Sequence, residues 1–386
     1  MDRYRRLKKN ILQRKTTLEA WIRDLETRGV ADPALTGRWR EVLSRVSDSL
    51  EDELLRIAVV GSVKSGKSTL INALLARDVL KRGAGITTAF VTRVRTGREW
   101  GGWVELKPWD QIHDEVNRAL RMLPLTNGET EDPPEVDLRE LEDRERLRER
   151  IAEVQRAGRP EQGALNPHFL VLNHLLEGYP SMGEFVGREA VRRSFDEGSI
   201  GEHQRFVGTD AGAAYVRDVE LHVPVSWLGE GIEIADCQGF DSPNPLHLGQ
   251  VQQVLMGAHF ILYVISSRVG LRESDFKLLE LVKVLRMFPN TLFVLNVDLD
   301  GHADTADVQR LWDRVRQELG WMTTQPRVYA FSALLHLLES RGDEPTEAEA
   351  SRLRFWLQNS EPAAVSGEGF ESFRRELVHR VGQQRA

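Results

Sequence analysis

The sequence predicts an α/β fold in which helices cover both faces of a doubly wound, mainly parallel sheet. Short apolar runs typical of buried strands occur at residues 57–60, 260–266, 291–297 and 327–332. Segments with the apolar spacing of helices, such as 275–288 and 306–319, separate the later runs. A glycine-rich loop joins the first run to a helix at 69–75. Strands that alternate with helices in this way are typical of a parallel sheet.

Two amphipathic helices are expected before the first strand. Apolar residues recur every three or four positions in residues 1–28, and the turn at 29–33 separates them from a second stripe that includes Leu35, Trp39 and Val42. We therefore expect a helical hairpin over residues 1–54 and a second domain over residues 55–386. A closing helix is predicted at 367–383. We expect it to form a bundle with the hairpin; the alternative is that the hairpin only covers the sheet.

The middle of the chain is expected to hold an edge hairpin and an insertion. Residues 215–225 and 231–236 show strand-like alternation and predict an antiparallel hairpin at the sheet edge. The stretch from about residue 100 to 214 is charged and largely helical in pattern, and it fits no strand of the sheet. We interpret it as an inserted helical subdomain, in which the charge run 139–150 is a solvated helix face.

Composition excludes several classes of protein. The chain has 386 residues of which 41 % are hydrophobic, as is ordinary for a globular protein. Its 59 acidic and 52 basic residues give a net charge of −7, so we expect no nucleic-acid partner. Cys237 has no partner for an internal disulfide, residues 1–10 do not resemble a signal peptide, and no apolar run approaches the roughly 20 residues that span a bilayer. We therefore expect a cytoplasmic protein.

The strongest motif is GSVKSGKS at residues 61–68, called the phosphate loop below, which matches the pattern G-x-x-x-x-G-K-[ST] between a strand and a helix. Its glycines let backbone N–H groups close around a β-phosphate, and the following helix adds its positive dipole end. Lys67, expected to be surface-directed in the empty loop, neutralises β/γ oxygens, and Ser68 offers a hydroxyl to Mg²⁺. A glycine-rich turn with a surface lysine is the alternative. The predicted binding residues are Gly61, Ser62, Val63, Lys64, Ser65, Gly66, Lys67, Ser68 and Thr69.

Two further segments are expected to surround the γ-phosphate and Mg²⁺. Asp236 and Gly239 follow a strand in a D-x-x-G pattern, where the aspartate can hold the Mg²⁺ shell and the glycine N–H can meet the γ-phosphate. Thr87 and Thr88 lie in the loop after the first helix, where a threonine that senses the γ-phosphate is expected. One of the two should ligate Mg²⁺; the alternative is a capping or strand-entry threonine.

Base recognition is predicted at residues 296–300, called the base turn below. The usual [NT]-K-x-D turn supplies an aspartate that accepts from guanine N1–H and N2–H₂. Here the residues are Asn296-Val-Asp298-Leu-Asp300, so the lysine is missing and the spacing is two or four. We predict GTP and GDP as ligands. Asp298, which is nearer the strand end, is predicted to recognise the guanine base; the alternative is that both aspartates are turn residues. Ser332 and Ala333 are expected to form a base-contacting loop after the last strand.

Four stretches of sequence carry a family resemblance: GSVKSGKSTLINALL, GAGITTAFVTRV, VRDVELHVPVSWL leading into IADCQGFDSP, and ISSRVGLRESD. They resemble bacterial dynamin-like GTPases of the dynamin superfamily over roughly residues 55–100 and 213–383. The resemblance implies a P-loop GTPase fold, a neck-like role for the hairpin, and Mg²⁺ ligands Ser68, Asp236 and Thr88, the second threonine of its pair. Cys237-Gln238 replaces the family's usual Thr-Pro. The family's stalk and membrane-binding tip are expected to be absent, so membrane contact would need a segment not present in this chain.

The resemblance implies a Mg²⁺-dependent GTPase that hydrolyses GTP to GDP and phosphate, coupled to self-association as a homodimer through the nucleotide face and to membrane remodelling as a peripheral protein. Phe240 stands where many regulatory GTPases carry a water-orienting glutamine. Dynamin relatives hold a monovalent cation with a P-loop serine at the position of Lys64, and guanylate-binding proteins carry an arginine there. We therefore predict Lys64, with Lys67 and Thr88, as a catalytic residue; the alternative is that Lys64 points to solvent.

Two other functions stay open at this point. A monomeric regulatory GTPase, for example one acting in ribosome assembly, predicts a basic RNA-binding domain, and the sequence shows none. A non-hydrolysing nucleotide-binding scaffold with relaxed base specificity is favoured if the altered base turn no longer selects guanine.

Overall fold

A nine-stranded mixed sheet forms the centre of the fold. The computed structural model describes residues 2–30, 32, 35–40, 42–44, 54–81, 91–123, 133–157, 167–237, 239, 245–302, 304–341, 345–358 and 360–385. The strands are β1 (Leu55–Val60), β2 (Thr92–Gly97), β3 (Gly101–Leu106), β4 (Val191–Asp196), β5 (Val216–Pro224), β6 (Ile232–Asp236), β7 (Phe260–Ser266), β8 (Thr291–Asn296) and β9 (Val328–Phe331). Their order across the sheet is β4-β3-β5-β2-β6-β1-β7-β8-β9.

Helices connect and flank the strands. The longer ones are Asp2–Thr27, Lys67–Leu75, Trp109–Arg121, Leu141–Ala157, Pro167–Met182, Pro245–Gly257, Glu273–Val284, Thr305–Gly320, Ala333–Ser340, Glu347–Gln358 and Ser360–Arg385. Short helical turns are Gly183–Phe185, Ile200–His203, Gln204–Val207, Asp210–Ala213 and Phe288–Asn290, and residues 35–40 and 42–44 also have helical backbone. Among the described residues, none of the helices combines the length and the apolar content that crossing a bilayer requires.

The parallel half of the sheet carries the main core. β1, β7, β8 and β9 pair in parallel, with Ile57 opposite Phe260 and Phe293 opposite Val328. Ala58 and Val60 of β1 join a buried cluster with the helices after β6, β7 and β8. Ile57 and Val59, which alternate with them, are also fully buried, so both faces of β1 are covered. The predicted α/β fold is confirmed.

The stretch from residue 100 to 214 is not wholly helical, and the interpretation that it contributes no strand was wrong. β3 and β4 both belong to the sheet: β3 pairs antiparallel with β4 on one side and with β5 on the other. β4 forms the sheet edge and most of its side chains are exposed. An exposed edge strand needs no apolar run and is commonly charged, so its sequence Val-Arg-Arg-Ser-Phe-Asp gave no strand signal.

The predicted edge hairpin of residues 215–225 and 231–236 was also wrong. β2 lies between β5 and β6, parallel to the first and antiparallel to the second, with Thr92 of β2 opposite Asp236 of β6. Arg95 of β2 bonds Glu233 at 2.9 Å and Glu220 at 3.2 Å on these two neighbours. Because such cross-strand ion pairs neutralise its arginines, β2 can lie inside the sheet although its sequence is charged.

The chain divides into two compact units, one of residues Met1–Leu55 with Phe373–Ala386 and one of Arg56–Ser372. In the first unit Ile22 and Phe373 are buried, whereas Trp21 and Trp39 are 64 % and 39 % exposed. The apolar stripes of the hairpin are therefore only partly buried. The domain boundaries at 1–54 and 55–386 stay a prediction.

Candidate active site

The phosphate loop has a backbone shape that only particular residues allow. At Gly61, where φ is 156°, an added Cβ would lie 2.3 Å from Val264 O. At Gly66, where φ is 95°, it would lie 2.0 Å from the Asn296 side chain. Lys64 is also left-handed, with φ 64°, and its side chain is exposed. The loop is thus a tight cradle with one lysine turned outward and no room for side chains at either glycine.

Lys67 lies inside this cradle. Its ammonium donates to Gly61 O at 3.1 Å and to Ser62 O at 2.9 Å, and the residue is 8 % exposed. The expectation of a surface-directed lysine in the empty loop was wrong, because two loop carbonyls capture the charged group. The ammonium is therefore held inside the phosphate loop by its backbone.

The phosphate loop meets the end of β6 through one short hydrogen bond. Ser68 Oγ donates to Asp236 Oδ2 at 2.6 Å. Burial raises the pKa of the Asp236 carboxyl, and the bond from Ser68 and the charge of Lys67 oppose that rise. A hydroxyl and a carboxylate are hard oxygen ligands of the type that Mg²⁺ uses beside substrate phosphates, so this pair fits the predicted Mg²⁺ site. The third predicted ligand, Thr88, lies with Thr87 outside the described residues.

Two further features of the cradle fit an anionic ligand. Ser65 Oγ is buried and, within the part of the chain that the structure describes, has no hydrogen-bond partner. A Cβ added at Gly239 would lie 2.3 Å from Val63 Cγ2, so this glycine, three positions beyond the end of β6, lies directly against the phosphate loop. Gln238 and Phe240 lie outside the described residues. Ligand oxygen atoms are the natural partner for the Ser65 hydroxyl.

Asn296 links the phosphate loop to the loop after β9. Its Nδ2 donates to Ser65 O at 3.0 Å, and its Oδ1 accepts from Ala333 N at 3.1 Å. Ser332 has a different role in the structure: its hydroxyl caps the helix Ala333–Ser340 by accepting from Leu335 N at 3.3 Å. The structure thus brings together Asn296, Ala333 and the phosphate loop. The Ser332 hydroxyl serves as a helix cap.

The two aspartates of the base turn have distinct surroundings. Asp300 accepts from Trp356 Nε1 at 2.7 Å with one oxygen and pairs with Arg352 at 2.8 Å with the other. Asp298 instead lies two residues beyond the end of β8 and pairs with Arg268. Asp300 therefore anchors the helix Glu347–Gln358, whereas Asp298 pairs with an exposed arginine at the surface.

Comparison with known proteins identifies the family. Residues 57–298, more than half of the chain, match the Dynamin family. The chain belongs to the dynamin family. The sequence resemblance to a dynamin-like GTPase domain is confirmed.

Relatives of this dynamin-family chain are distant and longer. Dynamin-like protein A of Bacillus subtilis (strain 168) is 22 % identical over 289 residues, which cover 74 % of this chain and 22 % of that protein. Dynamin-related protein 3B of Arabidopsis thaliana is 28 % identical over 99 residues, which cover 22 % of this chain and 13 % of that protein. The chain thus spans less than a quarter of the length of these curated relatives.

Solved structures of bacterial dynamins are also similar to this chain. One, described as an oligomerised bacterial dynamin pair that senses and tethers membranes, has a TM-score of 0.47 and 15 % identity, covering 98 % of this chain and 47 % of the other. LeoA bacterial dynamin GTPase from ETEC has a TM-score of 0.32 and 12 % identity, covering 99 % of this chain and 47 % of the other.

Two residues that sequence reasoning missed hold the chain just before the predicted switch. Asn72, fully buried in the helix Lys67–Leu75, donates to Asp78 Oδ1 at 2.7 Å and exchanges hydrogen bonds with the backbone of Leu80. His203 Nε2 lies 3.0 Å from Val79 O, and burial lowers the pKa of its imidazole. A polar residue within an otherwise apolar helix face was the available signal for Asn72. His203 gave none, because its contact lies 124 residues away in sequence.

Proposed function

We propose that this dynamin-family protein binds GTP and hydrolyses it to GDP and phosphate in the presence of Mg²⁺. The observation that carries the proposal is the 2.6 Å contact between Ser68 and Asp236, residues 168 positions apart. It places a hydroxyl and a carboxylate beside a glycine cradle that already holds a lysine. That set of groups fits a nucleoside triphosphate with its metal, because charge on the β/γ oxygens needs both a cation and backbone donors.

The chain's own residues supply binding and positive charge for attack of water on the γ-phosphate. Lys67 exchanges its loop carbonyls for phosphate oxygens and neutralises charge that develops during transfer. Ser68 and Asp236, with Thr88 as the third predicted ligand, would hold Mg²⁺, which when bound neutralises the β- and γ-oxygens. The water is oriented by groups other than residue 240, since a phenyl ring can neither donate nor accept its hydrogen bonds.

Selection of guanine rests on Asp298. A carboxylate offers only acceptors, which match the N1–H and N2–H₂ donors of guanine and oppose the N1 acceptor of adenine. Asp300 is tied instead to the helix Glu347–Gln358 by its two bonds. A scaffold with relaxed base specificity remains the competing function if Asp298 does not discriminate.

Self-association through the nucleotide face is a further part of the proposal. Lys64 is exposed on the outer side of the phosphate loop, at a residue with left-handed backbone. A second GTPase domain that closes over this face would turn Lys64 toward the phosphates, where positive charge is needed. We also propose a cytoplasmic location with peripheral contact at a membrane.

Titration with fluorescent GTP, GDP and ATP analogues, with and without Mg²⁺, tests the proposal together with phosphate release. We expect GTP and GDP to bind more tightly than ATP, and turnover to require Mg²⁺. Tight binding of GTP without phosphate release at any protein concentration would favour a non-hydrolysing scaffold. Equal affinity for GTP and ATP would refute guanine selection.

A further inference from the structure

The base turn is approached from a second loop that the predicted site did not include. Arg268, two residues beyond the end of β7, pairs through its Nε with Asp298 Oδ2. The arginine side chain is 66 % exposed and the aspartate side chain 25 % exposed. The pair therefore lies at the surface beside the base turn, where a ligand can reach both groups.

The backbone under Asp298 is fixed by a chain of hydrogen bonds. Asp298 N donates to Ser267 Oγ at 2.9 Å, and this buried hydroxyl lies 2.8 Å from His302 Nε2. His302 Nδ1 in turn lies 2.9 Å from Asp307 Oδ2. Because a carboxylate can only accept, His302 donates to Asp307 from Nδ1, and its Nε2 shares the other hydrogen bond with Ser267 Oγ. These hydrogen bonds fix the backbone of the base turn, so that Asp298 lies beside Arg268.

The strand end itself supplies no cation. Val297 occupies the place after Asn296 where the usual turn carries lysine, and it is 6 % exposed. Arg352, the other arginine at this turn, pairs at 2.8 Å with Asp300, the carboxylate that is not proposed to contact the base. Arg268 is the cation that forms an ion pair with Asp298.

We propose that Arg268, in the loop after β7, is a specificity-determining residue of the guanine subsite. It takes the place of the lysine that the base turn lacks. This inference rests on the proposed function. Arg268 and the Asp300 N–H, at 3.3 Å from Asp298 Oδ1, each use one acceptor position on a different carboxylate oxygen. One position stays open on each oxygen, as many as the N1–H and N2–H₂ donors of guanine require. The planar guanidinium can also cover the face of the purine ring.

The test compares Arg268→Ala and Arg268→Lys with Arg352→Ala, a matched control that removes the other arginine paired to the same turn. Each protein is titrated with fluorescent GTP and ATP analogues, and inorganic tripolyphosphate is used as a competitor that reports the phosphate loop alone. Melting temperatures establish that the variants are folded. We expect Arg268→Ala to lose about tenfold in GTP affinity and a similar factor in preference over ATP, the size of a stacked and charge-assisted contact.

Competition by tripolyphosphate should stay unchanged in Arg268→Ala, because the phosphate loop is intact. Arg268→Lys should recover part of the loss, since an ammonium keeps the ion pair without the planar group. A parent protein that prefers GTP, with a variant Arg268→Ala that keeps both affinity and preference, overturns this inference and leaves the proposed function standing. An equal loss in Arg352→Ala also overturns it. A parent protein that does not prefer GTP over ATP overturns both.

Discussion

The phosphate loop and the base turn lie after β1 and β8, two parallel strands of one sheet, but they are built differently. The phosphate loop takes nearly everything from eight consecutive residues, and its shape depends on the backbone of Gly61 and Gly66. The base turn depends on side chains from three separate segments: Ser267 and Arg268, Asp298, and His302 with Asp307. A contiguous backbone site tolerates little variation, whereas a side-chain site can exchange its members for groups from neighbouring loops.

The largest effect is expected from Lys67→Ala, which removes the charged centre of the phosphate loop. Binding of GTP, GDP and ATP analogues should weaken by at least about 100-fold, because several charge-assisted hydrogen bonds to phosphate are lost together. The variant also loses two bonds to loop carbonyls, so a fall in unfolding free energy of about 1–3 kcal/mol is expected. Lys277→Ala, at an exposed lysine paired with Glu273, is the control. Normal GTP affinity in Lys67→Ala would remove the phosphate site from the proposal.

Lys64→Ala tests whether this lysine accelerates hydrolysis when a second GTPase domain closes over the nucleotide face. In the parent protein, turnover per molecule should rise with protein concentration and should be the same in potassium and in sodium. The variant should lose that rise, by up to about 10³-fold if Lys64 acts as an arginine finger does. Undiminished concentration-dependent turnover in Lys64→Ala would exclude this role. Strong stimulation of the parent by K⁺ would point instead to a bound monovalent cation.

Asp236→Asn tests whether Asp236, together with Ser68, holds Mg²⁺. The apparent Mg²⁺ affinity in the turnover assay should fall by about 10- to 100-fold, since the amide keeps the size of the side chain and loses its charge. Nucleotide binding measured without Mg²⁺ should change little, because Lys67 and the loop backbone remain. An unaltered Mg²⁺ requirement in this variant would mean that Asp236 does not hold the metal shell.

The base turn should respond more mildly and selectively. Asp298→Ala is expected to weaken GTP by about tenfold or more, whereas Asp300→Ala should mainly lower the melting temperature, because Trp356 and Arg352 lose their acceptor. Asp298→Asn offers one acceptor and one donor, which match N1–H and the C2 carbonyl of xanthine, so preference should move from GTP toward XTP. A greater loss of GTP affinity in Asp300→Ala than in Asp298→Ala would reverse the assignment.

The difference between the two sites also explains what the sequence could predict. The motif at residues 61–68 and the strand before it identify a contiguous site, and their placement followed directly. The choice between Asp298 and Asp300 could not be made with certainty from spacing, because it depends on Trp356 and Arg352, more than 50 positions away. The strands β2 and β4 escaped detection because their charges are neutralised across the sheet or exposed at its edge. The family's switch threonine stays a prediction.

The register of β2 has a mechanical consequence. Thr92, the first residue of β2, lies opposite Asp236, the last residue of β6. The chain therefore enters β2 on the same rung at which Asp236, bonded to the Ser68 hydroxyl, ends β6. A displacement of Asp236 is transmitted across this rung to Thr92 and, through the Arg95 ion pairs, onward to β5. The carboxylate proposed to hold Mg²⁺ and the start of β2 would then move together instead of independently.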